Sequence, residues 1–389
     1  MNSRRWLIVI ALVGVLHNAL RVIGSILGSP GVFNYLPLQP TKPMHFDHLL
    51  MALPGILLIL IVVAWVARSL WRKSEGSSPM LSSAIWALAA GITVGLLGAY
   101  ANTLARSYGW MLFAVTPFLM GLISVLLLAQ QKHVNLAEAF GVAVLSVTLL
   151  GALLLLFAVE GAVCLLMAVP IAATLALVGA FVGYASQDKL ATRSPMMFLL
   201  LMGTAPFGAT LEHSLEPPAE LFTVTTSLDI PASPDRVWRT VLQPAKLALP
   251  SHPLFRAGIA YPLASHIEGT GLTATRYCDF STGKLVEPVL IWKDGRQLRF
   301  TVVSNPLPMQ EWTPYAQIHP PHLEGFLASR QGEFRLEPLP NGGTRLFATT
   351  WYQHHMWPAT YWRAWSDYII HQVHGMVLAN IRERAEAYK

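Results

Sequence analysis

Leu221–Gln243 reads LFTVTTSLDIPASPDRVWRTVLQ. Its first ten residues are rich in β-branched and aromatic types with partial alternation, the pattern of a strand. Pro231 stops it. Ser233 then suits a helix N-cap, Pro234 the first helical position and Asp235 the positive end of the helix dipole. Val237, Trp238 and Val241 share one face of the short helix that follows.

Downstream, the texture stays that of an ordinary globular domain. Strands are expected at about Gly258–Ile267, Leu272–Phe280, Leu285–Trp292 and Gln297–Ser304. The turns between the last three are Ser281-Thr282-Gly283 and Lys293-Asp294-Gly295. Asn305–Glu324 holds five prolines and reads as irregular. Two more strands, about Leu327–Leu336 and Thr344–Gln353, flank Pro340-Asn341-Gly342-Gly343. A helix over Pro358–Tyr388 closes the chain, with an apolar stripe of Trp362, Trp365, Ile369, Val373 and Met376. An antiparallel sheet with one long helix buries both apolar faces by curling around that helix. Curvature of this kind tends to leave a hollow.

SLDIPASPDRVWRTVL resembles the opening strand and helix of START-related proteins, the SRPBCC superfamily, which includes polyketide cyclase/dehydrase-like proteins and the birch-pollen-allergen fold. The element order is similar over about Thr223–Ala387, under half of the chain. FRAGIAYP (Phe255–Pro262), RYCDFSTGKLVEP (Arg276–Pro288) and HPPHLEGF (His319–Phe326) resemble a membrane-fused bacterial subgroup. The resemblance implies an α+β helix-grip domain with an internal pocket for an apolar or amphipathic molecule. The superfamily holds binders, transfer proteins and enzymes, so fold alone does not choose among them.

Upstream of this domain the composition changes. The chain of 389 residues is 53% hydrophobic and only 12% charged, where a soluble domain carries about a quarter. The deficit lies between Trp6 and Leu211. Seven apolar runs there approach or exceed the ~20 residues that cross a bilayer: Trp6–Leu27, Phe46–Ala67, Leu81–Leu104, Tyr108–Gln130, Leu136–Phe157, Gly161–Tyr184 and Met196–Leu211. The last is short and contains Pro206. The expected organisation is a transmembrane helical domain over 1–214, a linker over 215–220 and the helix-grip domain over 221–389.

With the N-terminus inside, Arg4, Arg5, Arg68, Arg72, Lys73, Lys132, Lys189 and Arg193 fall on the inside, and few basic residues face out. Seven crossings then place the C-terminal domain outside, in the periplasm if the membrane is a bacterial inner membrane. Should Met196–Leu211 not cross, that domain is cytoplasmic. The net charge of +6 resides mainly in these loops and does not point to nucleic acid. Cys164 and Cys278 are expected not to pair, and no zinc-type cysteine pair exists.

Four groups of residues could carry function. His319, His322, Asp367, His371 and His374 offer acid–base chemistry, and the last three share a helix face roughly opposite the Trp stripe. Their ordinary reading is structural, with Asp367 paired to Arg363 one turn earlier. No metal or cofactor is expected. Trp351, Trp362, Trp365 and Ile369 are candidates to line the pocket, against a plain core role. Arg276 and Glu287, flanking one hairpin, would fix a ligand's polar end if they point inward; outward, they are merely solvated. His17, Asn18, Arg21, His45, Asp47, His48 and Arg106 cluster near the outer ends of the first three spans, where polar groups are costly and often functional.

Three functions fit. The first is a membrane-anchored module that binds or transfers a hydrophobic or lipid-like ligand. The second is a cyclase/dehydrase-like enzyme acting on a membrane-derived carbonyl compound. The third is a membrane sensor or assembly factor. The enzyme reading requires at least two of His319, His322, His371, His374, Asp367 and Arg276 to meet at one cavity.

Overall fold

The computed structural model describes residues 79–105, 108–130, 132–157, 159–190, 200–201, 203–204, 207–209, 211–212, 219–313, 318 and 320–387. The chain divides into two compact units, Met1–Glu216 with Thr313–Pro320, and Pro217–Trp312 with Pro321–Lys389.

The described part of the first unit is helical: α1 (Pro79–Ala105), α2 (Thr116–Ala129, entered through one π-helical turn at Met111–Val115), α3 (Leu136–Leu156) and α4 (Ala162–Leu190). These helices are long and apolar enough to cross a membrane by length and composition. Trp6–Leu27 and Phe46–Ala67 lie outside the described residues, and Met196–Leu211 is described only in part. Glycine sets the packing of α2 on α4. A Cβ on Gly121 would stand 1.9 Å from the Ala176 carbonyl oxygen, and one on Gly179 2.0 Å from that of Phe118. With no side chain at these two positions, the two helix backbones come into direct contact. Polar groups turn inward: the Ser124 and Ser146 hydroxyls meet at 3.2 Å, and the Gln187 amide bonds the backbone N–H and carbonyl of Val134. Leu156, Leu166 and Phe181 point out and are more than half exposed. The interior is itself apolar, with Leu119, Met120, Ile123 and Leu126 buried, so the large apolar side chains that also point out add an exposed apolar surface unusual in water.

The second unit is an eight-stranded antiparallel sheet with helices on one face. Its strands are β1 (Leu221–Ile230), β2 (Ala245–Lys246), β3 (Pro262–Glu268), β4 (Thr275–Phe280), β5 (Gly283–Lys293), β6 (Gln297–Thr301), β7 (Leu327–Pro338) and β8 (Thr344–His354), in the order β1-β8-β7-β6-β5-β4-β3-β2. Helix α5 (Pro234–Leu242) follows β1, the single turn α6 (Pro253–Arg256) follows β2, and α7 (Ala359–Ala387) ends the chain. Ser233 is the N-cap of α5, but its hydroxyl makes no capping bond. Gly295 and Gly342 hold positive φ in the two tight turns that their sequence marks.

The sheet must curl. Helix α7 bonds β1 through His374 and β2 through Asn380, whose amide donates to the Lys246 carbonyl at 3.1 Å. Those residues are six apart, about 9 Å of helix. Flat, the two edges of eight strands would stand roughly 33 Å apart. Register shifts in β5 at Val289/Ile291 and in β7 at Ser329/Gln331 supply local bends. A curled antiparallel sheet with a C-terminal helix fits a helix-grip domain.

Two clusters fill the grip. One joins α5 to the sheet and the end of α7 through Ile230, Val237, Trp238, Leu298, Leu346, Leu378 and Ile381. The other, at the start of α7, is built on Phe222, Val224 and Tyr352, with Ile370 packed against it. The buried line of α7 runs Trp362, Ser366, His374, Leu378, Ile381, Ala385. It therefore differs from the Trp-based stripe read in the sequence. A period near 3.6 from Trp362 passes through Ser366 and reaches His374, leaving Trp365 half-buried at the flank.

Candidate functional site

Between the two packed clusters lies a cavity of about 180 Å³. An apolar cavity of about 150 Å³ suffices for benzene, so this one accommodates a ring-sized molecule.

One wall is the β4–β5 hairpin. Arg276 and Glu287 stand directly opposite each other across it. Both point inward, contrary to the solvated alternative, and form a buried ion pair with side chains 8% and 5% exposed. The guanidinium carbon lies over the rings of Phe300 at 5.1 Å and Phe334 at 5.6 Å. Cys278, two residues on, shares this face and bonds Arg276. Burial pushes the Cys278 thiol up to about 11, so it is protonated and unreactive at neutral pH. Burial is also the larger influence on Glu287 and lifts its carboxyl above the usual range, against the pull of Arg276. Asp279 and Lys284 alternate to the outer face and pair with each other at 3.5 Å. A hollow of about 20 Å³, room for about one water, shares Arg276, Cys278, Phe334 and Val377 as a common wall with the cavity.

The floor comes from β6, β7 and β8. Gly332 faces Phe300 in register, and a Cβ there would stand 2.3 Å from the Phe300 ring. Ala348 and Thr350 continue the lining, and Pro306, Leu307 and Pro308 cover part of it.

The roof is α7, through Ile369, Ile370, Val373, His374 and Val377. His374 is buried and neutral: burial, with a smaller push from His371, takes its imidazole down to about 4. Its Nε2 meets the Thr350 hydroxyl at 2.8 Å and its Nδ1 meets the Thr226 hydroxyl at 3.0 Å. The same Thr226 oxygen meets His371 Nδ1 at 2.7 Å.

Arg276, Glu287, Ile369 and His374 thus meet at one cavity. The other candidates do not join them. Asp367 accepts from the Tyr352 phenol at 2.5 Å and from Arg363 Nε at 3.2 Å, so Asp367, His371 and His374 do not converge on a metal position. Tyr352 is fully buried, and its phenol pKa is raised by burial and by Asp367. Trp351 faces the outer side of the sheet, where Arg299 lies 4.7 Å over its ring. Strand alternation puts its neighbours Thr350 and Tyr352 inside instead. Trp362 is core, its indole N–H donating to the Trp357 carbonyl at 3.3 Å. Neither it nor Trp365 reaches the cavity, because both stand too early on α7. His322 sits on a short turn, Pro321–Leu323, and is not part of the lining. His319, His17, Asn18, Arg21, His45, Asp47, His48 and Arg106 lie outside the described residues.

Cys278, Gly332 and Thr350 are the contributors that sequence reasoning missed. Cys278 was legible from the strand period, two residues from Arg276. Gly332 was legible as a glycine inside a strand, a mark of close approach.

No family model and no curated protein matches the chain. Solved structures similar to it include a Mesorhizobium loti protein, 16% identical over 43% of this chain and 99% of its own, TM-score 0.27. Norcoclaurine synthase from Thalictrum flavum is 11% identical over 44% and 97%, TM-score 0.29. An aromatase/cyclase from Streptomyces sp. R1128 is 12% identical over 43% and 94%, TM-score 0.27. Likeness at this level decides neither fold nor chemistry, and the sheet and helix described above stand on their own geometry.

Proposed function

We propose that the second unit binds a small apolar or amphipathic molecule, and that the first unit anchors it in a lipid bilayer. The observation that carries this reading is the ring-sized cavity with one buried ion pair in a largely apolar lining. Apolar walls reward a ligand by roughly 25 cal/mol per Å² removed from water. The Arg276–Glu287 pair supplies a fixed polar contact for orientation. The size argues against engulfing a whole lipid; the cavity suits a ring or one end of a longer molecule. Anchoring rests on the apolar outward faces of α3 and α4, and tethering raises the local concentration of bilayer solutes.

Native mass spectrometry and organic extraction of the full chain, purified in detergent, test the binding. The expected result is a co-purifying molecule that is lost in Ala348→Leu, which fills the cavity. A full chain that is empty from membranes and binds no ring-sized compound overturns it. The periplasmic placement of the C-terminal domain is a separate proposal, supported by the distribution of basic loop residues. Ser251→Cys, at an exposed position, should react with a membrane-impermeant maleimide from outside intact spheroplasts; labelling only after lysis sinks it.

A second reading, an enzyme of the cyclase/dehydrase-like kind, is favoured by one observation: Arg276 and His374 line the same cavity from opposite layers. Turnover of a carbonyl compound lost in both Arg276→Met and His374→Gln, with folding kept, would establish it.

A further inference from the structure

Four side chains form an unbroken line from the cavity to the surface. Thr350 lines the cavity. Its hydroxyl lies 2.8 Å from His374 Nε2, His374 Nδ1 lies 3.0 Å from the Thr226 hydroxyl, and that hydroxyl lies 2.7 Å from Nδ1 of His371, which is exposed. Each inner member both donates and accepts: a hydroxyl carries one proton and two lone pairs, and a neutral imidazole one proton and one acceptor nitrogen.

The line therefore has two self-consistent polarities. In one, His371 Nδ1–H donates to Thr226, Thr226 donates to His374 Nδ1, and His374 Nε2–H donates to Thr350. Thr350 is then left with a proton to offer the cavity. In the other, every bond reverses, and Thr350 accepts from whatever occupies the cavity. A structural histidine needs no such symmetry. It also needs no exposed imidazole at the far end of the same hydroxyl.

We propose that Thr350, His374, Thr226 and His371 are a proton relay between the cavity and solvent, serving a bound ligand whose oxygen is a hydroxyl in one state and an oxyanion in the other. The inference rests on the binding function proposed above. Delivery begins with protonated His371. Its Nδ1 proton passes to Thr226, whose own proton passes to His374 Nδ1. The Nε2 proton of His374 passes to Thr350, and the Thr350 proton forms the new O–H bond on the ligand. His371 ends neutral, the ligand oxygen ends protonated, and each inner group keeps the proton count it began with. Release runs the same steps backwards. The low basicity of buried His374 suits a group that passes a proton without storing it.

The charged groups beside the line are already committed. On α7, Asp367 is held by Tyr352 and Arg363. On β1 and β8 the flanking residues are Thr225, Ser227, Thr349 and Trp351, none of which titrates near neutrality. Across the cavity, Arg276 and Glu287 neutralise each other. His371 is therefore the member of the line placed to take a proton from water.

4-Nitrophenol is a suitable probe, being ring-sized with an ionisation visible in absorbance. The full chain in detergent is loaded with it, and protonation of the bound phenolate is followed by stopped-flow after a drop in pH. Binding at the cavity is checked with Ala348→Leu, which should abolish it. Thr226→Val and His371→Gln should each slow protonation by about a hundredfold, in the range typical of a lost proton-transfer group. Affinity should be unchanged, and Thr226→Ser should keep the wild-type rate. A merely structural role for Thr226 would alter affinity or stability without separating the two rates. Bound probe with wild-type rates in both variants overturns the relay alone, since the proton then enters by another way. His371→Gln is a surface change and reads out even if Thr226→Val fails to fold. Failure of the wild-type chain to bind any ring-sized probe overturns the binding function, and the relay with it.

Discussion

The buried Arg276–Glu287 pair gives the sharpest quantitative test of the cavity. Two charges with side chains 8% and 5% exposed have lost most of their hydration. Glu287→Gln keeps the shape and leaves the guanidinium cationic between Phe300 and Phe334 with no counter-charge. Breaking a buried pair from one side typically costs about 3–5 kcal/mol. For a domain of this size 1 kcal/mol shifts Tm by about 2–4 °C, so the variant should melt roughly 6–20 °C below wild type. Arg276→Met should cost a similar amount, since it strands a buried carboxylate. The double variant Arg276→Met/Glu287→Leu removes both charges, and replacing a buried pair with apolar residues is often neutral or stabilising. It should melt close to wild type, so the single losses of about 3–5 kcal/mol each should fail to add. The assay is tryptophan fluorescence of the full chain in detergent, with Trp238 and Trp292 packed edge to face at 5.7 Å reporting the core beside the hairpin. The double variant should keep the fold and lose the cavity's polar contact. A loss below about 1 kcal/mol for Glu287→Gln would show that water reaches the pair, and the reasoning about a dry, oriented site would fail.

Three further outcomes follow from other positions. His374 titrates at about 4 when folded against an ordinary 6.5, so between those values the unfolded chain holds a proton that the folded one lacks. Stability should therefore fall as pH drops from 6.5 towards 4, by about 3 kcal/mol from this group. His374→Gln should flatten that part of the pH profile of Tm, and an unchanged profile refutes the assignment. Gly332→Ala forces a Cβ against Phe300 at 2.3 Å. It should cost about 1–3 kcal/mol by overpacking and displace Phe300 from the Arg276 guanidinium, which melting and probe affinity would record together. In the first unit, Gly121→Val collides with the Ala176 carbonyl and should abolish accumulation of the full chain in membranes, while Gly141→Val, with open space around it, should be tolerated; equal accumulation contradicts the α2–α4 packing.

Much of the second unit was legible in its sequence because local chemistry and long-range pattern agree there. β1 and the span of α5 follow from β-branched content, Pro231 and the Ser233-Pro234-Asp235 start, and the hairpins from Gly295 and Gly342. On α7 the stripe of Trp362, Ile369 and Val373 does face inward, whereas Trp365 lies half-buried at its flank. Trp362 is core, but the helical period then selects Ser366, which bonds the Tyr352 phenol, and His374, which bonds threonines on β1 and β8. No sequence window contains those threonines, which lie 24 and 148 residues away. Arg276 and Glu287 were ambiguous for a related reason. A strand's period says that two residues share a face but not which face is inner, and a charge counts against the inner one unless its partner across the hairpin is recognised.

The position of the cavity has a physical cause in the register of β7 and β8. Inward residues on β8 run Leu346, Ala348, Thr350, Tyr352, and opposite them on β7 stand Leu336, Phe334, Gly332 and Ser329. Large side chains at both ends meet α5 and the two ends of α7, and make the two clusters. In the middle the sheet offers alanine, threonine, glycine and serine, while α7 passes straight overhead and cannot dip to fill the gap. Phe300 and Phe334 lean into part of it and carry Arg276 with them. A chain under selection for stability alone would place leucine at Ala348, since burying added apolar surface is worth roughly 25 cal/mol per Å². Small residues, a glycine inside a strand and a buried ion pair at one place each cost stability separately. Their coincidence where α7, β4, β5 and β7 meet is consistent with the ligand-binding role proposed above.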